Sequence, residues 1–199
     1  MKTFSTVTSK VIPLPMKDVD TDLIIPAQFL TSISRDGYGQ NLFRRLRDND
    51  PNFPLNQPRF QGASILVADS NFGCGSSREH AVWALIDAGI KVVMAKSFAD
   101  IFYNNSAKNG LLLVPLAAEA VDQVLAEATR DDYVVTVDLE KQQVLLPNGS
   151  KCPFSYDPFR KHCMLNGLDD IDYIRSFAAQ IADFRERQRA CSFMSTFCA

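Results

Sequence analysis

The residues best equipped for chemistry stand together in Asp69–His80, DSNFGCGSSREH. Two glycines, Gly73 and Gly75, precede two hydroxyls and a guanidinium, Ser76, Ser77 and Arg78. Glycines turn the chain where other residues cannot and let a ligand approach the backbone. A helix opening after such a turn presents unpaired N–H groups and partial positive charge, which together suit an anion. Arginine adds a bidentate grip on a carboxylate or phosphate. The same letters also have a plainer meaning. Ser76 and Glu79 show the S-x-x-E spacing of a capping box, in which the segment is a well-made helix start and nothing more. Spacing alone leaves both open.

Other chemistries fit these letters less well. A phosphate-cradling loop would need the Walker spacing and its lysine, and both are missing. A Ser–His hydrolase would need a G-x-S-x-G turn; His80 instead falls on the helical turn of Ser76, without an orienting partner. Cys74 lies where thiol pKa values fall, yet reads more simply as a small loop residue. His80 reads as a packed helix residue.

The surrounding pattern shows what must position these groups. Residues 1–15 read as a β segment, and DVDTDLIIP (Asp18–Pro26) as a turn entering an apolar run. Residues 31–61 are polar and rich in Gly and Pro, a long loop with a short helix near Asn41–Arg47, and loops of that length are usually functional or mobile. Ala63–Ala68, Lys91–Lys96 and Leu111–Leu116 are short apolar runs bounded by turn signals, as buried strands should be. Between them come a helix starting near Ser76, with Ala81, Val82, Leu85 and Ala88 on one face, and another over Phe98–Asn109. Residues 118–129 carry Val121, Val124, Leu125 and Ala128 at helical spacing. Val134–Leu146 alternates and predicts a hairpin turning near Glu140–Gln143. A last amphipathic helix runs through Ile171, Ile174, Ala178, Ile181 and Phe184. Strands alternating with helices, plus a hairpin, predict a mixed α/β layered domain. Trp83, Phe98 and Phe102 are expected in its core.

Composition narrows the classes. In 199 residues, 21 Lys+Arg against 23 Asp+Glu give a net charge of −2, without the basic footprint of a nucleic-acid binder. The longest apolar stretch, Leu111–Ala118, is interrupted by Pro115 and far short of the roughly 20 residues of a spanning helix. The N-terminus lacks the apolar core of a secretory signal, so the default is a soluble, cytoplasmic protein. The five cysteines are widely spaced and only two histidines accompany them, so no metal site is expected within this chain.

GCGSSREHA, with DVDTDLIIPAQFL upstream and KSFADIFYNNSAKNGLLLV and FRKHCMLNGLDDI downstream, resembles the small-subunit family of the isopropylmalate dehydratases, the swivelling domain of the aconitase superfamily. The likeness spans roughly residues 5–175. It implies a layered β/β/α swivelling domain with a mixed sheet and flanking helices over residues 1–185, and a C-terminal tail, 186–199, that matches nothing in the family. It implies a hydro-lyase that interconverts 2- and 3-isopropylmalate through isopropylmaleate in leucine biosynthesis. Activity would need a large subunit carrying a 4Fe–4S cluster, with none bound by this chain, and no membrane or nucleic-acid partner. By position, Ser76 aligns with the family's catalytic serine, and Ser77 and Arg78 with carboxylate-binding residues. Asp22 aligns with an acidic active-site residue; the plainer reading is a turn-capping aspartate. Phe29–Gly39 corresponds to the loop that selects the substrate's side group. Leu30 and Ile33 would meet an isopropyl group, whose burial is worth about 2 kcal/mol, although nearby Arg35 would suit a third carboxylate. Dehydratases of citramalate, dimethylmalate or homoaconitate are the nearest alternatives, and a non-catalytic anion-binding module the alternative from another class. His162 and Cys163 read as structural. Val82 stands where relatives commonly have proline, a residue suited to a first helical turn.

Overall fold

The computed structural model describes residues 2–30 and 36–196, with side chains to Arg189. Ile33 and Arg35 lie outside the described residues. Four short parallel strands build the centre: β1 (Val7–Leu14), β2 (Ile65–Ala68), β3 (Val92–Ala95) and β4 (Leu112–Pro115). They lie in the order β4-β3-β2-β1, and three antiparallel strands, β5 (Val134–Asp138), β6 (Gln143–Leu145) and β7 (Lys151–Pro153), continue the sheet beyond β1. The register pairs Leu14 with Ala68, so β1 and β2 end side by side.

β2, β3, β4 and the second half of β1, Val11–Leu14, are apolar throughout because both of their faces are covered. Ile12, Leu14, Leu66, Ala68, Val93, Ala95 and Leu113 face one cluster, with Ala81, Val82, Ala84 and Leu85 of α3 (Glu79–Asp87) and Phe102 of α4 (Asp100–Asn109). Val11, Ile65, Val67, Val92, Met94, Leu112 and Val114 face the other. That second cluster gathers Val121 and Val124 of α5 (Ala118–Glu127), Met164 of α6 (Pro158–Asn166), and Val135, Val137 and Val144 from the antiparallel wing. The result is the mixed sheet with flanking helices expected of the domain. Phe102 is core, whereas Trp83 and Phe98 are half-buried against it.

Between β1 and β2 lie α1 (Thr21–Ile24) and α2 (Arg44–Asn49), joined by short 3-10 turns that include Gly39–Asn41. The helix expected near Asn41–Arg47 is thus present, shifted by a few residues.

Two expectations need correction. The helix placed at Ser76 begins at Glu79, with Arg78 as its N-cap residue and no side-chain cap. The reason lies in the Ser76 carbonyl, which accepts from Arg78 N–H at 2.7 Å and from Thr21 Oγ1 at 3.0 Å. A helix-starting residue would instead spend its carbonyl inside the helix. The capping box fails as well, because the Glu79 carboxylate accepts from Asn109 Nδ2 at 2.7 Å.

The second correction concerns the C-terminal stripe. Two helices, α7 (Asp170–Ser176) and α8 (Ala178–Thr196), break at Phe177, and α8 carries the chain past position 185. Ile171, Ile174, Ile181 and Phe184 are 62%, 59%, 36% and 54% exposed. Both faces of the sheet are already covered by other elements, so this apolar face finds no core to enter. No helix among the described residues is long and apolar enough to cross a membrane.

Candidate active site

In parallel α/β sheets, ligands gather at the carboxyl ends of the strands, and here the segments leaving β1 and β2 run on together. Asp69 N–H donates to Met16 O, Asp18 N–H to Ser70 O, Gly73 N–H to Val19 O at 2.7 Å, and Thr21 N–H to Cys74 O at 3.0 Å. Asn71 Nδ2 donates to Asp18 Oδ1 at 2.6 Å. Thr21 Oγ1, on a buried side chain, completes the seam at Ser76 O. The serine loop is therefore a fixed extension of the sheet, sewn to the DTD segment residue by residue.

Its two glycines do different things. Gly73 has φ +80°, and an added Cβ would lie 2.2 Å from Phe102 Cγ, so the position excludes a side chain on space as well as backbone. Gly75 has φ +86°, with an added Cβ no nearer than 3.4 Å to anything; there only the backbone conformation requires glycine. Together they present Ser76 and Ser77 outward, both exposed. The Ser76 hydroxyl has no hydrogen-bond partner among the described residues.

Asp20 and Asp22 divide the work of the DTD segment. Asp20 is the N-cap of α1, accepting from Leu23 N–H at 2.6 Å. The capping reading considered for Asp22 thus belongs to its neighbour. Asp22 Oδ1 accepts from Arg78 Nη1 at 2.7 Å and from Ala27 N–H at 3.1 Å, and Oδ2 from Arg45 Nη1 at 2.6 Å. The Arg78 guanidinium foremost, with the Ala27 amide and Arg45, holds the Asp22 carboxyl below its ordinary value against some desolvation. Asp22, Arg78 and the serine loop are thus brought together.

Leu30 is half-buried against the core cluster beside Phe29. Cys74 is no activated thiol: burial, then Asp20 and Asp18, push it upward. His80 packs edge-on against Trp83 and Tyr38, with ring centroids 4.7 and 5.4 Å away. Among the described residues no group of three or more His, Cys, Asp and Glu is placed to hold a metal ion.

Sequence reasoning missed Thr21 and Arg45. Thr21 sits inside a motif already singled out and was legible there as a small polar residue between two carboxylates. Arg45 had no signal, since 23 positions separate it from Asp22 and only the packing of α2 on α1 joins them.

The family described as the aconitase C-terminal domain matches residues 1–119. The 3-isopropylmalate dehydratase small subunit of Francisella philomiragia subsp. philomiragia is 50% identical over 189 residues, covering 95% of this chain and all of that protein. The protein of the same description from Paramagnetospirillum magneticum is 51% identical over 198 residues, covering 96% of this chain and 98% of its own. Among solved structures, 3-isopropylmalate dehydratase from Methanocaldococcus jannaschii superposes with a TM-score of 0.68 at 28% identity, covering 89% of this chain and 98% of that one.

Proposed function

This chain belongs to the family of 3-isopropylmalate dehydratase small subunits, on the aconitase C-terminal domain, and from that premise we propose how its serine loop shares in the reaction. The protein is a hydro-lyase subunit of leucine biosynthesis, acting in the interconversion of 2- and 3-isopropylmalate by dehydration and rehydration. A small subunit implies a large one, and catalysis is the work of the pair, in the cytoplasm.

Dehydration removes a proton from the carbon beside the one bearing the hydroxyl. The C–H electron pair becomes the double bond of isopropylmaleate, and the hydroxyl departs with the C–O bonding pair, becoming water on taking a proton from solvent. Water returns with the positions exchanged. Ser76 Oγ takes the proton and later gives it back. Arg78, steadied by Asp22, grips a substrate carboxylate through charge-assisted hydrogen bonds, with Ser77 adding a hydroxyl donor. Leu30, with Ile33, meets the isopropyl group. A 4Fe–4S cluster, which the family resemblance implies on the large subunit, would supply Lewis acidity toward the departing hydroxyl; this chain's share would be the proton and the carboxylate.

The observation that carries this reading is the exposed Ser76 hydroxyl, without a partner among the described residues, on a loop sewn to the segment that holds Arg78. The test is Ser76→Ala in the two-subunit complex. Turnover of 2-isopropylmalate is expected to fall by about 100-fold or more, the scale of a lost general base, with KM little changed. Turnover near wild type would reject the assignment and leave a domain that only holds an anion. Rates with citramalate, dimethylmalate and homoaconitate test the substrate in the same assay. A preference for the tricarboxylate would overturn the choice of isopropylmalate.

A further inference from the structure

Arg45 reaches the site by construction. Phe43 is fully buried with φ +50°, and its N–H donates to Ile24 O at 2.8 Å. That bond seats the start of α2 on the end of α1 and sets Arg45 opposite Asp22. One carboxylate then lies between two guanidiniums, with Arg78 Nη1 at 2.7 Å on Oδ1 and Arg45 Nη1 at 2.6 Å on Oδ2.

We propose that Arg45 is a positioning residue for the substrate carboxylate, acting through Asp22 on Arg78. Left to themselves, an aspartate and an arginine close into a bidentate fork, two parallel N–H···O bonds along one edge of the guanidinium. With Oδ2 held by Arg45, Asp22 engages Arg78 through Nη1 alone. Three donors, the Nε–H and the two Nη2–H, then stay open, enough for a bidentate grip on an incoming carboxylate. Charge acts in the same direction. An Asp22–Arg78 pair alone is neutral and offers a dianion little, whereas the trio carries a formal charge of +1. Arg45 itself is 57% exposed, so its effect on the fold is small and its effect on the anion site direct.

This inference deepens the carboxylate role given to Arg78 and rests on it. The experiment compares steady-state constants of the two-subunit complex for 2-isopropylmalate in five variants. Arg45→Ala raises KM about fivefold, toward the upper range for an exposed charge pair, and leaves kcat within about twofold. Arg45→Lys, which keeps a cation within reach of Oδ2, restores KM to within about twofold of wild type. Asp22→Ala weakens binding on its own, and adding Arg45→Ala to it changes KM by less than about twofold, because the route is already cut. A KM for Arg45→Ala indistinguishable from wild type overturns the proposal, as does a full fivefold effect repeated without Asp22, or a loss confined to kcat. Arg78→Ala separates the two layers. If it leaves KM unchanged, the carboxylate role of Arg78 fails and takes this inference with it. If it raises KM while Arg45→Ala does not, only the part given to Arg45 is wrong.

Discussion

Gly73→Ala and Gly75→Ala look alike in sequence and should differ sharply in cost. Both positions have positive φ, so each alanine places a Cβ in a left-handed conformation, worth about 1–2 kcal/mol. At Gly75 nothing more is asked, since the new Cβ meets Asp20 Cβ at 3.4 Å, ordinary contact. At Gly73 the new Cβ falls 2.2 Å from Phe102 Cγ, 2.4 Å from Cδ1 and 2.6 Å from Cβ, against an optimum of about 3.5–4.0 Å for carbon pairs. Phe102 is 2% exposed and held edge-on to Phe72 at 5.5 Å, so the ring cannot retreat without disturbing the core. Overpacking of this kind adds about 1–3 kcal/mol. Gly73→Ala therefore costs about 2–5 kcal/mol in total, and about 1–3 kcal/mol more than Gly75→Ala. Urea unfolding of the two variants side by side measures that gap, and with a slope of about 2 kcal/mol per molar a gap of 2 kcal/mol separates the midpoints by roughly 1 M. Coincident midpoints would refute the claim that Phe102 closes the space above Gly73.

Asn109 accepts from Trp83 Nε1 at 3.1 Å and donates to Glu79 Oε1 at 2.7 Å and Asn105 O at 2.9 Å. Asn109→Ala should cost about 1–3 kcal/mol by thermal unfolding, and an unchanged melt would deny that this bridge fixes the first turn of α3 against α4. The Tyr133 hydroxyl is buried with no partner among the described residues, and burial foremost lifts its pKa from 10.0 to about 12. A raised pKa means the folded protein keeps the proton longer than the unfolded chain. Its contribution is complete below pH 10 and is lost between pH 10 and about 12. Tyr133→Phe should therefore match or exceed wild-type stability at neutral pH, by up to about 1 kcal/mol, and lose less stability across that alkaline window. A destabilised variant with an unchanged alkaline limb would contradict both statements.

How much of this was legible beforehand depended on whether the signal was local. β2, β3 and β4 are short and buried on both faces, so Ile65–Ala68, Val92–Ala95 and Leu112–Pro115 announce themselves as unbroken apolar runs. The hairpin was equally plain, because Val135, Val137 and Leu139 alternate with more exposed neighbours. The start of α3 was misjudged for a physical reason: the S-x-x-E spacing describes what Ser76 and Glu79 can do for each other, and both were outbid by distant partners, Thr21 and Asn109. Arg45 was invisible because its partner lies across a loop whose path only packing decides. The stripe from Ile171 to Phe184 has helical spacing, but spacing cannot say whether a core remains to receive it.

The exposure of Ser76 bears on where the basicity we propose for it would come from. An aliphatic hydroxyl ionises only far above neutral pH, and each unit of lowering takes about 1.4 kcal/mol. α3 begins at Glu79, three residues beyond the serine, and a helix's field fades within its first turn. A unit positive charge about 4 Å away is worth about 1 kcal/mol in water and about 4 kcal/mol where the effective dielectric falls to about 20. In the open loop, then, water screens the Arg78 charge and leaves it too weak to make the serine a base. The same charge becomes effective only when a second surface excludes water from the loop. Among the described residues nothing covers Ser76, and the large subunit that the family implies is the surface we propose for it. We therefore expect the small subunit alone to be inert toward 2-isopropylmalate, its serine standing in water, and turnover by the isolated chain would refute this reasoning.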